Sequence, residues 1–508
     1  MTFLITSSEV KGLRQDFRFS LEGRFNFLHD GFEQIGEGLF IETGFEGDLP
    51  SDIESVQDKL DTGFTAVKKG EGLKVLRDVF GSKPVYFMED AGELYISDRI
   101  RPLLNFTDAE VEPGVARDYL HSGLVNHRRK TFFTGINQLR PGENLTIREG
   151  KFKITESKSL EAEKDKNAED IVKRVLSDKI PDEKAACPVS GGLDSSIVAS
   201  QAENADFVHM DFEFGSGDRP FFNEVDNWLD GDIDVFEADA GDLLAEIRDS
   251  IKVLEQPSSM IAVQAQNILF RKISEEKDFN TVIDGTGADE LFYGYPYFMP
   301  FYIRESFRKG IFQGLKALKN YGSRLDRHQS KELLRVFSGG FYSNRSGIPE
   351  IEHKPRIERP ETLEESKEWN LKVYDFPHIL HSMEKSSEAY DLEVISCFLS
   401  EKLLEASRSS ARENFSSGFT KDQLRKTFKD VLPSKIVDRK KKTGFVQIDS
   451  FPENTHRPFH EVFSSESFQN RPFFDGDMFF KNFERGFQSF FKCYRFYCFE
   501  IWMREFID

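Results

Sequence analysis

A short run of glycine and small polar residues has the composition of an anion-binding loop. It reads Ser190-Gly191-Gly192-Leu193-Asp194-Ser195-Ser196 and follows an apolar stretch, residues 185–189, that we predict to be a buried strand. With a helix beginning at Asp194, backbone N–H groups and hydroxyls lie at a helix N-terminus, where unpaired donors and the helix dipole favour an anion. An ordinary strand-to-helix turn, with Asp194 as a favourable N-terminal charge, is the alternative.

A second segment rich in glycine and acidic residues lies further along the chain. It reads Asp284-Gly285-Thr286-Gly287-Ala288-Asp289-Glu290 and also follows an apolar run, residues 281–284. Because both segments follow predicted strands, we expect them to meet outside the carboxyl ends of a parallel sheet, where such folds bind nucleotides. The Walker pattern GxxxxGK[ST] is absent from the sequence.

The elements that must position these segments divide into two regions. Residues 17–154 alternate strand-like runs with turn signals, which predicts a β-rich first domain with strands at 63–67, 84–88, 93–97 and 144–147. Residues 156–168 are polar and lack apolar periodicity, which marks a boundary. We therefore predict one domain over residues 1–155 and a second over residues 165–508.

Strands and helices alternate in the second region. The predicted strands are 185–189, 207–214, 235–238 and 281–284, and the predicted helices include 171–180 and 194–202. This repeated β-α pattern is typical of an α/β fold with a parallel sheet flanked by helices. Residues 301–382 are mostly helical in pattern and charged, and they offer no recognisable chemistry.

Composition excludes several classes of partner. The chain has 508 residues and a net charge of −20, which disfavours binding to nucleic acid or to an acidic membrane. No apolar stretch approaches the roughly 18 residues of a membrane span, and the first residues lack a secretory signal, so a cytoplasmic location is expected. The four cysteines are too few and too scattered for a disulfide framework or a zinc site, and we expect them to be reduced.

Both glycine-rich segments resemble those of the asparagine synthetase family. The first has the form of that family's ATP-pyrophosphatase loop, and the second is similar to its Ser-Gly-Glu-Gly-Ser/Ala-Asp-Glu motif. The resemblance implies an N-terminal Ntn-glutaminase-like αββα domain, here truncated and degenerate. It also implies a C-terminal parallel-sheet ATP-pyrophosphatase domain with helical additions.

The resemblance implies a set of nucleotide-binding and metal-binding residues. Asp194 and Asp289 take the places of the family's metal ligands. Mg²⁺ prefers hard oxygen ligands such as these carboxylates, and its positive charge would offset the negative charge of departing pyrophosphate. The residues expected to bind ATP and pyrophosphate are Pro188, Ser190, Gly191, Gly192, Asp194, Ser195, Phe214, Gly285 and Gly287.

A basic run near residue 440 resembles another family motif. Leu432-Pro433 and the later Lys440-Lys441-Lys442-Thr443-Gly444-Phe445 resemble the pattern Leu-Pro…Arg-x-Lys-x-Gly-Phe, with Lys440 in the arginine place. The resemblance implies that Lys442 is the cation that stabilises the transition state. A run of basic residues on a solvated face is the alternative interpretation.

The chain departs from the family pattern at two functional positions. Thr286 stands where members that amidate aspartate carry glutamate, and threonine is a poor general base at neutral pH. We therefore consider Glu393 as a base supplied from elsewhere. Residue 2 is Thr2, whereas glutamine-using members begin with a nucleophilic cysteine. We expect a degenerate glutaminase domain that is retained for packing.

The resemblance implies an ATP-dependent carbon–nitrogen ligase. We expect adenylation of a carboxylate, most simply aspartate, followed by amide formation with ammonia and release of AMP and pyrophosphate. A lactam synthetase or peptide macrocyclase, whose amine lies within the substrate, is one alternative, and Thr286 favours it slightly. A non-catalytic ATP-binding homologue is another. The expected partners are small molecules, with a homodimer as one option for assembly.

Overall fold

The computed structural model describes most of the chain, in several stretches. These are residues 2–6, 18–22, 25–30, 33–36, 39–43, 64–69, 73–90, 92–148, 151–157, 168–212, 219–230, 232–325, 327–338, 351, 360–409, 411–439, 456–486 and 488–508. Antiparallel strands dominate the part before residue 158, and a parallel sheet with many helices forms the part after residue 167.

Two six-stranded antiparallel sheets form the first part. The strands are β1 (Thr2–Thr6), β2 (Arg18–Glu22), β3 (Phe25–Asp30), β4 (Glu33–Gly36), β5 (Leu39–Thr43), β6 (Phe64–Lys69), β7 (Leu73–Arg77), β8 (Tyr86–Asp90), β9 (Glu93–Ser97), β10 (Asn137–Gln138), β11 (Glu143–Arg148) and β12 (Lys151–Glu156). The sheet orders are β10-β8-β9-β1-β3-β2 and β12-β11-β7-β6-β5-β4. The predicted β-rich character of this part of the chain is confirmed.

The two sheets form a sandwich, and the alternating direction of the side chains along β8 explains how this sandwich packs against the rest of the molecule. Phe87 belongs to the apolar core between the sheets, with Val75 and Ile96. Its neighbours Tyr86 and Met88 belong to a different core, which includes the C-terminal helix. Because successive strand residues point to opposite faces, one face of the first sheet closes the sandwich and the other packs against the second part of the chain.

A five-stranded parallel sheet forms the centre of the second part. Its strands are β13 (Ala185–Pro188), β14 (Ala205–Phe212), β15 (Ile233–Ala238), β16 (Thr281–Asp284) and β17 (Glu393–Ser396), in the order β15-β14-β13-β16-β17. The chain builds outward from β13 through β14 to β15 and then crosses to β16 on the other side. The loops after β13 and β16 therefore lie side by side at a switch point of the topology.

Helices surround this sheet and extend beyond it. They are α1 (Pro113–Ser122), α2 (Ala168–Lys179), α3 (Leu193–Ala199), α4 (Arg219–Trp228), α5 (Ala240–Leu254), α6 (Ala262–Glu276), α7 (Ala288–Leu291), α8 (Met299–Lys309), α9 (Ile311–Tyr321), α10 (Arg327–Ser338), α11 (Leu363–Lys372), α12 (Phe376–Ala389), α13 (Glu401–Ser409), α14 (Asp422–Phe428), α15 (Ser434–Val437), α16 (His456–Phe463), α17 (Glu466–Gln469), α18 (Gly476–Glu484) and α19 (Phe490–Phe506). The predicted α/β class is confirmed. No helix within the described stretches has the length and apolar character needed to cross a bilayer.

Buried polar contacts fasten the two parts together. The Glu255 carboxylate accepts hydrogen bonds from the backbone N–H groups of Ile100 and Arg101 in the first part. His381 of α12 contacts the Leu254 carbonyl through Nε2 at 3.0 Å and the Tyr86 hydroxyl through Nδ1 at 3.4 Å. These contacts join the first sheet to the helices that support the parallel sheet.

Candidate active site

The loop after β13 has the shape of an anion cradle. Gly191 has φ +70°, and a β-carbon there would lie 2.5 Å from the backbone nitrogen of Phe222, so no other residue fits without rearrangement. The Ser190 and Ser195 hydroxyl oxygens lie 3.4 Å apart, at the start of α3. The predicted strand, loop and helix are therefore present, with the two hydroxyls and the helix N-terminus in one place.

Arg439, which lies far from this loop in the sequence, contacts it and stabilises its conformation. Its Nη1 donates to the Gly191 carbonyl at 2.9 Å, and its guanidinium lies 4.1 Å from the centroid of the Phe221 ring. The side chain is buried although it carries a charge. Lys440, which the resemblance puts in the arginine place of the basic motif, lies outside the described residues.

The second glycine-rich loop packs directly against the first. A β-carbon on Gly285 would lie 3.0 Å from the Asp194 β-carbon, so the two loops touch at this point. Gly287 follows with φ +98° and forms the start of α7, against the side chain of Leu399. The sequence prediction that the two segments meet at the carboxyl ends of adjacent strands is confirmed.

Lys421 lies between the two acids that the sequence singled out. Its Nζ is 2.6 and 2.7 Å from the two Asp194 carboxylate oxygens and 2.6 Å from Asp289 Oδ1. The lysine side chain is only 4% exposed, so the contacts are largely shielded from water. Sequence reasoning missed this residue, since nothing local distinguishes Lys421 from other lysines before Leu432-Pro433.

The two carboxylates are arranged to hold a cation. Asp194 and Asp289 come from different loops, yet both reach the same ammonium group. The described residues contain no group of three or more acidic, histidine or cysteine side chains suited to a metal ion. Two carboxylates are nevertheless the usual protein contribution to Mg²⁺ that is bound together with substrate phosphates. The chemistry of the pair therefore suits Mg²⁺, and in this structure the Lys421 ammonium group lies between the two carboxylates.

Thr286 and Glu393 occupy different ends of the sheet. Thr286 lies in the loop after β16, and its hydroxyl donates to Asp284 Oδ2 at 2.7 Å. Glu393 is opposite Thr281 in the pairing of β17 with β16, whereas Ser396 is opposite Asp284. At about 3.3 Å per strand residue, Glu393 is roughly 10 Å from the strand end that carries the site. The structure does not bring these two candidates together.

Two predicted site residues lie outside the described residues. Phe214 follows β14, which is described as far as Phe212. Lys442 lies in the basic run three positions after Arg439, where the described stretch ends. Pro188 lies at the end of β13, next to the loop that the two serines define.

Comparison with known proteins matches both parts of the chain. A model of the family described as asparagine synthase matches residues 169–503, which include both glycine-rich loops, Lys421 and Arg439. The chain belongs to the asparagine synthase family. A model of the glutamine amidotransferase domain matches residues 60–158.

One curated relative of this family member is a bacterial enzyme. The chain is 22% identical over 407 residues to "Asparagine synthetase [glutamine-hydrolyzing] 3" from Bacillus subtilis (strain 168). The match covers 72% of this chain and 63% of the relative. The chain therefore spans less than two thirds of the length of that relative.

Proposed function

We propose that the protein is a carbon–nitrogen ligase that forms AMP. ATP adenylates a carboxylate, for which aspartate is the first candidate, and ammonia then attacks the acyl-adenylate to give an amide. One observation carries this proposal: Asp194 and Asp289 converge on Lys421 beside the Ser190–Ser195 hydroxyl pair. This arrangement supports the proposal, because cationic and hydrogen-bonding groups stabilise the charge of departing pyrophosphate.

Each group in this arrangement has a proposed task. The loop after β13 holds the β- and γ-phosphates through its N–H groups and the hydroxyls of Ser190 and Ser195. Asp194 and Asp289 would hold Mg²⁺, which when bound neutralises charge on the departing pyrophosphate. Lys421 limits repulsion between these two carboxylates, and Arg439 keeps the loop in shape. Lys442 remains the proposed cation at the reacting carboxylate.

The first domain bears on the nitrogen source. Thr2 lies in strand β1, opposite Asp30. We propose that free ammonia is the donor and that the glutaminase-like domain acts in packing. Asparagine formed with ammonium but not with glutamine would support this assignment.

The decisive experiment measures pyrophosphate release from ATP and Mg²⁺ by the full-length protein, with and without aspartate, ammonium or glutamine. We expect release that requires aspartate, and asparagine as the product with ammonium. The Asp194→Asn variant should lose release, while Asp249→Asn, which alters a carboxylate that is 67% exposed, should behave as wild type. Release in the Asp194→Asn variant at the wild-type rate would refute the metal assignment.

A negative result with aspartate would identify the alternatives. Release that requires a carboxylate whose own amine closes a ring would indicate a lactam synthetase or peptide macrocyclase. ATP binding without any release would indicate a non-catalytic homologue. The lactam synthetase or peptide macrocyclase is tested because Thr286 stands at the position where the family usually carries glutamate.

A further inference from the structure

The side chains of Asp284, the last residue of β16, and Thr286, in the loop that follows, form a hydrogen-bonded pair. Thr286 Oγ1 donates to Asp284 Oδ2 at 2.7 Å, and the Thr286 backbone nitrogen donates to Asp284 Oδ1 at 3.2 Å. Both residues are half-buried. Gly285, which lies between them, packs on Asp194 of the first loop. The pair thus borders the acids of the proposed nucleotide site.

This pair contains a carboxylate that the family pattern places elsewhere. The pattern Ser-Gly-Glu-Gly carries its acid at the position of Thr286, and its first residue, a serine, at the position of Asp284. In this chain the hydroxyl and the carboxylate have exchanged positions. The two side chains remain in contact, so the loop still holds one acid and one hydroxyl.

We propose that Asp284 is the proton acceptor for amide formation and that Thr286 relays the proton to it. This inference rests on the proposed ligase function. The nitrogen of ammonia attacks the carbonyl carbon of the acyl-adenylate, and the new C–N bond forms. The nitrogen gives a proton to Thr286 Oγ1 while the hydroxyl proton of Thr286 passes to Asp284 Oδ2. The bond from the carbonyl carbon to the AMP oxygen breaks, and AMP leaves with the electron pair.

The surroundings of Asp284 suit a proton acceptor. Burial raises the pKa of its carboxyl above the usual range, and hydrogen bonds from Thr286 and Ser396 oppose this increase. Titratable groups near it include Asp194, which packs on Gly285 and contacts the Lys421 ammonium group, and two cysteines. Burial raises the pKa of the thiols of Cys187 in β13 and Cys397 after β17. These thiols stay protonated at neutral pH. A carboxylate with a raised pKa is a stronger base than an ordinary aspartate.

The test separates the two halves of the reaction. Adenylation is measured by aspartate-dependent exchange of labelled pyrophosphate into ATP, and amide formation is measured as asparagine produced from ammonium. In Asp284→Asn we expect exchange to stay within about threefold of wild type while asparagine formation falls about 100-fold, the usual contribution of a positioned base. In wild type the acid limb of the pH profile for asparagine formation should lie above the usual aspartate range, and this limb should disappear in the variant.

Variants of Thr286 provide the matched controls. Thr286→Ser keeps the hydroxyl and should retain asparagine formation, whereas Thr286→Val removes it and should resemble Asp284→Asn. The double variant Asp284→Ser with Thr286→Glu restores the family arrangement of hydroxyl and carboxylate. We expect this double variant to recover most of the asparagine formation that Asp284→Asn loses.

Different outcomes would overturn different statements. Wild-type protein without aspartate-dependent exchange refutes the proposed function, and this inference with it. Exchange in wild type together with unchanged asparagine formation in Asp284→Asn refutes the inference alone. Equal loss of exchange and asparagine formation in both Asp284→Asn and Thr286→Val would also refute it, because the pair would then serve adenylation or folding. Thermal unfolding of each variant separates these last two causes.

Discussion

Gly294 lies so close to Asp289 that a β-carbon on the glycine would be 1.7 Å from Asp289 Oδ1. The same β-carbon would be 2.7 Å from the Lys421 ε-carbon. Because Gly294 has no side chain, the Asp289 carboxylate and the Lys421 side chain can both pack against its backbone. Its position after α7 fixes where the Asp289 carboxylate meets the cation.

Replacing Gly294 should disable the site. In Gly294→Ala the new methyl group displaces Asp289 and Lys421, and a displacement of about 1 Å lowers catalysis about 100-fold. Pyrophosphate release measures the effect. Gly114→Ala is the control, since a β-carbon there meets its nearest atom at 3.4 Å and the residue lies in helix α1, away from the site. Similar activity in the two variants would contradict the proposed role of Asp289.

Removing the Lys421 charge should make the protein depend on metal for its stability. In Lys421→Met the carboxylates of Asp194 and Asp289 face each other without their common partner, a change that costs about 3–5 kcal/mol when a buried ion pair loses one member. We expect a lower Tm that rises again when MgCl2 is added. Lys435→Met, which breaks an exposed contact to Glu224 at 3.3 Å, should change Tm little. A Tm of Lys421→Met that is insensitive to Mg²⁺ would show that the two acids do not hold a metal.

Replacing Arg439 should weaken nucleotide binding more than it slows the chemical step. Arg439→Lys loses the contact with the Phe221 ring and weakens the bond to the Gly191 carbonyl, a loss on the order of 1.4 kcal/mol that corresponds to a tenfold change in affinity. The KM for ATP should rise about tenfold while kcat changes much less. Arg457→Lys, at a side chain that is 84% exposed, is the matched control. An effect on kcat alone would place Arg439 at the reaction rather than at the loop.

The folded protein should be less stable in mild acid. Burial lowers the pKa of His378 and of His381 from 6.5 to about 3. Both imidazoles are neutral in the folded protein, so the unfolded chain takes up protons first as pH falls. The stabilisation is complete above pH 6.5 and is lost progressively toward pH 3. At pH 5.5 each histidine should account for about 1.4 kcal/mol of lost stability.

Denaturant unfolding at pH 7.5 and pH 5.5 measures this loss. The His381→Gln variant lacks one of the two titrating groups and should lose about 1.4 kcal/mol less than wild type between the two pH values. His460→Gln is the control, because that imidazole is exposed. An equal pH dependence in wild type and His381→Gln would show that this histidine does not titrate on unfolding.

The two loops and their strands were predictable because the information is local. Strand β16 is found at the predicted residues, and β13 and β14 end within two residues of the predicted positions. Each combines a short apolar run with a glycine signal directly after it, and such patterns need no knowledge of distant residues. Strand β17 was not predicted as a strand, since no glycine signal follows it: the next residues are Cys397, Phe398 and Leu399.

Lys421 and Arg439 could not be found in the same way. Lys421 acquires its role from acids in two distant loops, and Arg439 from a loop carbonyl 248 positions away. Arg439 also begins a run of four cations, in which the sequence pattern alone does not say which side chain turns inward. The proposed role of Glu393 depended on motif resemblance, and the strand register places it away from Thr286.

The contact between Lys421 and Asp194 spans 227 positions of the chain. Contacts of such long range form late, because the entropy of closing a long loop is lost before they contribute any stability. During refolding from denaturant, helical signal should therefore return before the capacity to cleave ATP. Nascent chains that end before residue 421 would contain both glycine-rich loops and yet lack the cation between them, so the proposed activity requires synthesis to have passed residue 421.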